Sequence, residues 1–356
     1  MNPIAAVGLL VAAAILGGCS EGASQAPFTP SHAMSNAMRS APFDQTARRL
    51  FAQTNRAGAP EFVHAAPERS WMSPDAKAQK ALLYVSDVDH NAVYIYNYPG
   101  QSKLLGTLTY FEFPYGLCSD AAGDVFVPDF GRATVYEYAH AGTSPINVLH
   151  VTGSPIGCAV DATTGNLAVA AFNGATPSTA AGGVWVFRKA KGKPTLYQNP
   201  AFYYYWPPGY DDRGNLFIEG SSSTSVTGLA ELPHASNAFT NISVNATFSF
   251  PAGVTWDGKY VAATDQGYQG KKETAIYQVS VSGSTGTVVN TILFAPAASC
   301  SELDIVQPVI ERGARVIGGN LDCPSVSYWK YPTGGAPTAT YLGPPYGFPT
   351  GQTISR

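Results

Sequence analysis

The stretch 114–129, PYGLCSDAAGDVFVPD, limits what this chain can become, because weaker copies of it return along most of the sequence. Each copy reads as an apolar or aromatic residue, then Pro-x-Gly, a short strand, a tight Asp/Gly turn and a second strand of alternating apolar residues. The Pro-x-Gly glycines are Gly116, Gly157, Gly209, Gly253 and Gly351, spaced by 41, 52, 44 and 98 residues. The last gap is two steps of 49, and the skipped copy falls near Glu302, where SELDIV reads as a degenerate inner strand. The other half of the unit, an aromatic-rich strand ending in a turn, recurs at Val93, Val135, Val184, Leu229, Ile276 and Val326.

Six such halves at 42–50 residues apart predict a radial array of small antiparallel sheets. The two ends of the array are complementary. ALLYVSDVDHNAVYIYNY begins at its second strand, and the chain finishes on GFPTGQTIS, a Pro-x-Gly strand with nothing after it. Joining them removes the exposed sheet edges that an open array would leave. The expected fold is therefore all-β, a six-bladed β-propeller over residues 81–356, closed by the C-terminal strand joining the first blade. Composition agrees: 13% charged residues with 36 Gly and 27 Pro fit short strands joined by turns and exclude a helical bundle. The repeat, with VYEYA in its second half, resembles the NHL and related six-bladed propellers over roughly residues 80 to 356. That architecture hosts binding proteins and enzymes alike, so the resemblance implies a fold and leaves activity open.

Ahead of the repeats, Ile4 to Gly18 is an apolar or small run too short for a comfortable membrane span and suited to a signal h-region, giving a signal peptide over 1–18. Its end, Leu16-Gly17-Gly18-Cys19, resembles the lipobox of bacterial lipoproteins. The resemblance implies a lipidated Cys19 at the start of the mature chain, with Ser20 favouring the outer membrane where there are two. The n-region MNPIAAVG carries no Lys or Arg, and an ordinary cleaved signal or an uncleaved apolar anchor are the alternatives. Residues 19–80, rich in Ala, Ser, Pro and Gln, read as a flexible tether. The expected address is the cell envelope, exported and lipid-anchored. A net charge of −3 without a basic run argues against a nucleic-acid partner.

In propellers of this kind, the loop entering each innermost strand and the loop after the second strand share one face. The resemblance places Tyr115, Tyr204, Tyr205, Trp206 and Phe348 there, with Asp87, His90, Asp129, Glu219 and Asp265 as polar groups. Aromatic walls with a few acids describe a ligand site for a protein or carbohydrate partner. The plainer reading is that these aromatics fill gaps between blades and that Asp87, Asp129 and Asp265, at one repeat position, cap turns. Asp120, Asp161, Asp212 and Asp257 belong to the hairpin turns and read as structural. The enzymatic alternative is a metal-dependent hydrolase or lyase of the gluconolactonase or streptogramin-lyase propeller type. The first needs oxygen ligands near the inner-strand starts, yet the residues before the glycines are Tyr115, Ile156, Pro208, Ala252 and Thr350, leaving only Glu302 and Asp304 of the degenerate copy. The second needs a histidine near the axis, and His90 is the candidate in a mouth loop. No nucleophile elbow, phosphate loop or HExxH helix is present. A non-enzymatic binding module is the favoured reading, with no catalytic residue, no metal ligand and no cofactor assigned, a divalent cation being the one open option.

Four cysteines remain beside Cys19, and an exported chain permits disulfides. Of three possible pairings, Cys118–Cys158 between neighbouring inner strands and Cys300–Cys323 within one blade are favoured. The rival is a four-thiolate zinc site, which lacks a C-x-x-C pair. Cys118 lies two residues past its glycine and Cys158 one, a register that could point them to opposite faces.

Overall fold

The computed structural model describes residues 69–174, 181–224, 226–270, 273–321, 323–342 and 346–356. The signal-like segment, Cys19, most of the proposed tether and Asp322 lie outside the described residues.

The alternating apolar runs form strands, and consecutive strands pair antiparallel into a propeller-like succession of small sheets. The second sheet contains Cys118–Ser119, Val125–Asp129, Thr134–Tyr138 and Asn147–His150 in chain order. The third repeats that order with Pro155–Val160, Leu167–Asn173, Ala181–Phe187 and Thr195–Tyr197. The last contains Val309–Glu311, Arg315–Asn320, Ser325–Lys330 and Ala339–Leu342. In the first sheet the innermost place is taken from the other end of the chain: Pro349–Ser355 runs antiparallel along Leu82–Asp87, from Leu82 opposite Ser355 to Asp87 opposite Pro349.

Two features depart from the expected pattern. The fourth and fifth repeats are not separate sheets but one nine-stranded sheet. The outer strand of the fourth, Thr240–Val244, pairs parallel with Thr285–Phe294 of the fifth, Ser243 opposite Thr285 and Val244 opposite Gly286. This follows from the length of the fifth repeat's outer hairpin, whose strands of 9 and 10 residues outreach the rest and fold across onto the neighbour. In addition, the folded part begins before residue 81. Trp71–Met72 adds a fifth strand to the first sheet against Gly106 and Thr107, and the turn Pro74–Ala78 buries Ala76 completely. The low apolar content of the preceding stretch hides this edge strand, which needs only two residues.

The Asp/Gly turns behave as their chemistry predicts. Asp120 accepts from the backbone N–H of Ala122 and Asp124, Asp161 from Thr163, and Asp257 from Lys259 and Tyr260. In the fourth repeat the capping residue is Asp211, which accepts from Arg213 and Asn215, and not Asp212, which is exposed. With two aspartates side by side, the sequence does not reveal which one lies two residues before the free N–H.

Around the hub the inner strands approach one another closely enough to explain Pro-x-Gly. The N–H of Gly116 donates to Ile156 O at 3.0 Å, that of Val254 to Pro207 O at 3.0 Å, and that of Gln307 to Ala252 O at 3.0 Å. A Cβ at Gly351 would lie 2.5 Å from Tyr115 O, and one at Gly116 would lie 2.8 Å from Ile156 O and 1.8 Å from Gln307 Oε1. No larger residue fits either place. Gln307 closes the centre: its Nε2 donates to Leu117 O at 3.2 Å and to Cys158 O at 3.0 Å, reaching from the last repeat across to the second and third.

Both favoured disulfides are present. Cys118–Cys158 joins the second and third sheets with a Cα separation of 5.6 Å, and Cys300–Cys323 ties two loops of the last repeat at 5.7 Å. The register problem is resolved by the Gly116–Ile156 hydrogen bond. It offsets the two strands by one residue from their glycines, which brings Cys118 opposite Cys158.

Candidate functional site

The face built from the entering loops and the loops after the second strands contains all ten residues expected at a ligand site, but it does not present them to one opening. Tyr115, Tyr205 and Trp206 are essentially inaccessible, and Tyr204 and Phe348 are buried. With Phe130, Phe172, Phe250 and Leu321 they form one apolar cluster over the hub. The rings meet edge-on or stacked, with Phe172 at 4.7 Å from Tyr204 and 5.2 Å from Trp206, and Trp206 at 5.1 Å from Phe250. At this depth these aromatics are packing.

The acids share a different task. Asp87, at the end of its strand, accepts backbone N–H groups from Asp89, His90, Gly347 and Phe348. Asp129 accepts twice from Glu112 N, and Asp265 accepts from Ser249, Phe250 and Gly267. In the last repeat Asn320 does the same, its Oδ1 accepting from Asp304 N and its Nδ2 donating to Glu302 O. Each side chain thus fastens the loop that enters its own innermost strand. His90 stays half exposed, with Nδ1 at 3.4 Å from Asp87 Oδ1, and the hydrogen bond to Asp87 raises its pKa. Among the described residues no three His, Cys, Asp or Glu side chains are grouped to hold a metal ion.

Glu219 departs from this pattern. Being one methylene longer than aspartate, its side chain leaves its own loop and reaches the next repeat, where Oε2 accepts from Gly253 N at 2.9 Å and Ala252 N at 3.3 Å. Among the described residues Oε1 has no hydrogen-bond partner, and neither do the buried Tyr115 OH, Trp206 Nε1 and Gln307 Oε1. Complete burial raises the Glu219 carboxyl well above the usual carboxylate range, and the two N–H donors only partly offset this. Burial likewise pushes Asp129 up to about 7 against the Glu112 N–H and the Arg132 charge.

Both groups therefore hold protons in the fold that the unfolded chain has released. Between the ordinary carboxylate pKa, about 4, and about 7, the folded state binds more protons, so stability falls as pH rises, by up to about 1.4 kcal/mol per pH unit for each group. Urea midpoints at pH 5 and pH 8 should show this drop in the wild type and a smaller one in Glu219→Gln, which keeps an acceptor but cannot ionise. An equal drop in both would mean that Glu219 is charged in the fold.

Accessible space on this face lies to one side of the hub. A cavity of about 380 Å³ is lined by Gln198, Asn199, Phe202, Tyr203, Tyr205 and the Ser222–Ser223 loop. Tyr203 is half-buried and meets Tyr204 edge-on at 4.7 Å. The Tyr205 hydroxyl is held by Asn199, donating to its carbonyl at 3.1 Å and accepting from its N–H. Of the expected ligand residues only Tyr205 lines this space. Gln198 and Asn199, in the fourth repeat's entering loop, and Ser222 and Ser223, in the loop after its second strand, carried no repeat signal.

No family model and no curated protein matches the chain. Solved structures do match it. A chain from a nidogen/laminin complex is 12% identical, with a TM-score of 0.59 over 78% of this chain and 98% of that one. A Bacteroides caccae protein of unknown function is 10% identical, with a TM-score of 0.58 over 78% and 99%. Hydrazine synthase from Kuenenia stuttgartiensis is 15% identical, with a TM-score of 0.52 over 77% and 80%. At these identities the likeness concerns the fold alone, and the fold is a β-propeller.

Proposed function

We propose that this chain is an exported, lipid-anchored six-bladed β-propeller that acts as a protein-binding module through its aromatic-rich loop face. In this reading Pro349–Ser355 completes the first blade, the nine-stranded sheet is two bridged blades, and Cys19 bears the lipid. The observation that carries the binding role is the cavity of about 380 Å³ beside Tyr203 and Tyr205. It combines tyrosine rings with amide and hydroxyl groups, the mixture that serves protein recognition at low entropic cost. A relative of the same fold in a complex named for nidogen and laminin supports the same use. The hub aromatics support the module from beneath and the four-way Asp87 latch fixes the loops around it.

Affinity capture of the full chain from palmitate-labelled envelope fractions tests both parts. The wild type should bring down label, lost in Cys19→Ser, and at least one protein that Tyr203→Ala fails to retain. A set of captured proteins identical between wild type and Tyr203→Ala would remove the loop face from consideration.

A further inference from the structure

On the opposite face, where the Asp/Gly turns and the outer hairpins lie, the bridge between the fourth and fifth repeats encloses a second and larger space. Its volume is about 570 Å³, within the range of small-ligand sites. The long hairpin of the fifth repeat forms its outer wall. That wall is pinned to the fourth repeat by Ser243 N donating to Ser284 O at 2.8 Å and by Val288 N donating to Asn245 Oδ1 at 2.7 Å. Among the described residues no other pair of sheets is joined by such a strand pairing, so the wall is a product of the hairpin's length.

The lining is specific in kind. Trp256, part-buried at the end of an inner strand, and the buried Phe217 supply aromatic surface. Glu231, Asp212, Arg213 and Lys259 bring charges of both signs. Asp211 has its carboxylate occupied by Arg213 N, Asn215 N and Asn215 Nδ2, which makes the turn on that side rigid. By contrast, among the described residues neither the Glu231 carboxylate nor the Arg213 guanidinium has a side-chain hydrogen-bond partner.

We infer that the cavity between the fourth and fifth repeats is a binding site for a neutral saccharide of one to three rings. Acidic and basic side chains line the same cavity, so a ligand carrying only one charge sign would meet like charges as well as opposite ones. A hydroxyl is donor and acceptor at once and satisfies both. The C–H face of a pyranose ring supplies the apolar surface that Trp256 offers to cover. Glu231 accepts hydrogen bonds from hydroxyls, Arg213 donates to ring and hydroxyl oxygens, and the hydroxyls of Ser280 and Ser282 stand at the hairpin side, while the Lys259 ammonium lies over the Tyr260 ring.

Calorimetric titration of the full, disulfide-intact chain with cellobiose, lactose, maltose and N,N′-diacetylchitobiose tests this. At least one should bind saturably with a dissociation constant of millimolar or below. Glu231→Gln and Arg213→Ala should each weaken that binding about tenfold without moving the unfolding midpoint, and Trp256→Ala should abolish it. Should Trp256→Ala fail to fold, Trp256→Leu, which keeps apolar volume and loses the ring, replaces it. Saturable binding that survives both Glu231→Gln and Arg213→Ala overturns the assignment. So does failure of all four saccharides, or saturation only by a charged probe such as spermidine or glucuronate.

Discussion

Replacing Asp87 by alanine is expected to lower the unfolding free energy by roughly 3–5 kcal/mol, a large share of what a domain possesses. The reason is the number of groups that depend on one carboxylate. Four backbone N–H groups donate to it, two of them from Gly347 and Phe348 immediately before the strand that pairs with Leu82–Asp87. The side chain is fully buried and Phe348 nearly so, hence the stranded donors would not find water at once. Asp87→Asn keeps one acceptor oxygen but turns an amide N–H toward a donor, and should fall between wild type and alanine. Urea denaturation of the three proteins gives the comparison. A loss below about 1 kcal/mol in the alanine variant would mean that the closing strand is held by its ladder alone.

Removal of the Cys118–Cys158 bond should be the next most damaging change. The bond spans 40 residues and the Cys300–Cys323 bond spans 23. Chain-entropy arguments give about 4 kcal/mol for the longer and about 3 kcal/mol for the shorter. The first also joins two sheets that otherwise meet through few backbone bonds, so its loss should loosen the second and third sheets together. Cys118→Ala/Cys158→Ala and Cys300→Ala/Cys323→Ala, unfolded in parallel, should keep that order. The reverse order would mean that the loops before Leu303 matter more to stability than the junction between inner strands.

How much of this was legible in the sequence varies with the physics of each part. The repeats were legible because each encodes its own hairpins locally, through alternation and Asp/Gly turns. The pairing of the C-terminal strand with Leu82–Asp87 was legible from the complementary ends. A structural, turn-capping role for Asp87, Asp129 and Asp265 was visible as repetition at one position, but that each fastens an entering loop was not, nor that Asn320 completes the set with an amide. The burial of Tyr115, Tyr204, Tyr205, Trp206 and Phe348 was legible only as the plainer of two readings, gap-filling against an open ligand site, and it is the gap-filling that the structure shows. A repeat pattern says that side chains point toward an axis, not how narrow the axis is. The distinct behaviour of Glu219 depends on a single methylene that carries it to Gly253. The bridge of Thr240–Val244 to Thr285–Phe294 involves a parallel contact between separate repeats, for which short-range pattern has no signature.

Gln307 carries a further consequence. By hydrogen-bonding Leu117 and Cys158, it ties the last repeat to the second and the third at once. A Gln307→Ala variant would strand both carbonyl acceptors, so three repeats would lose a shared fastening through a single substitution.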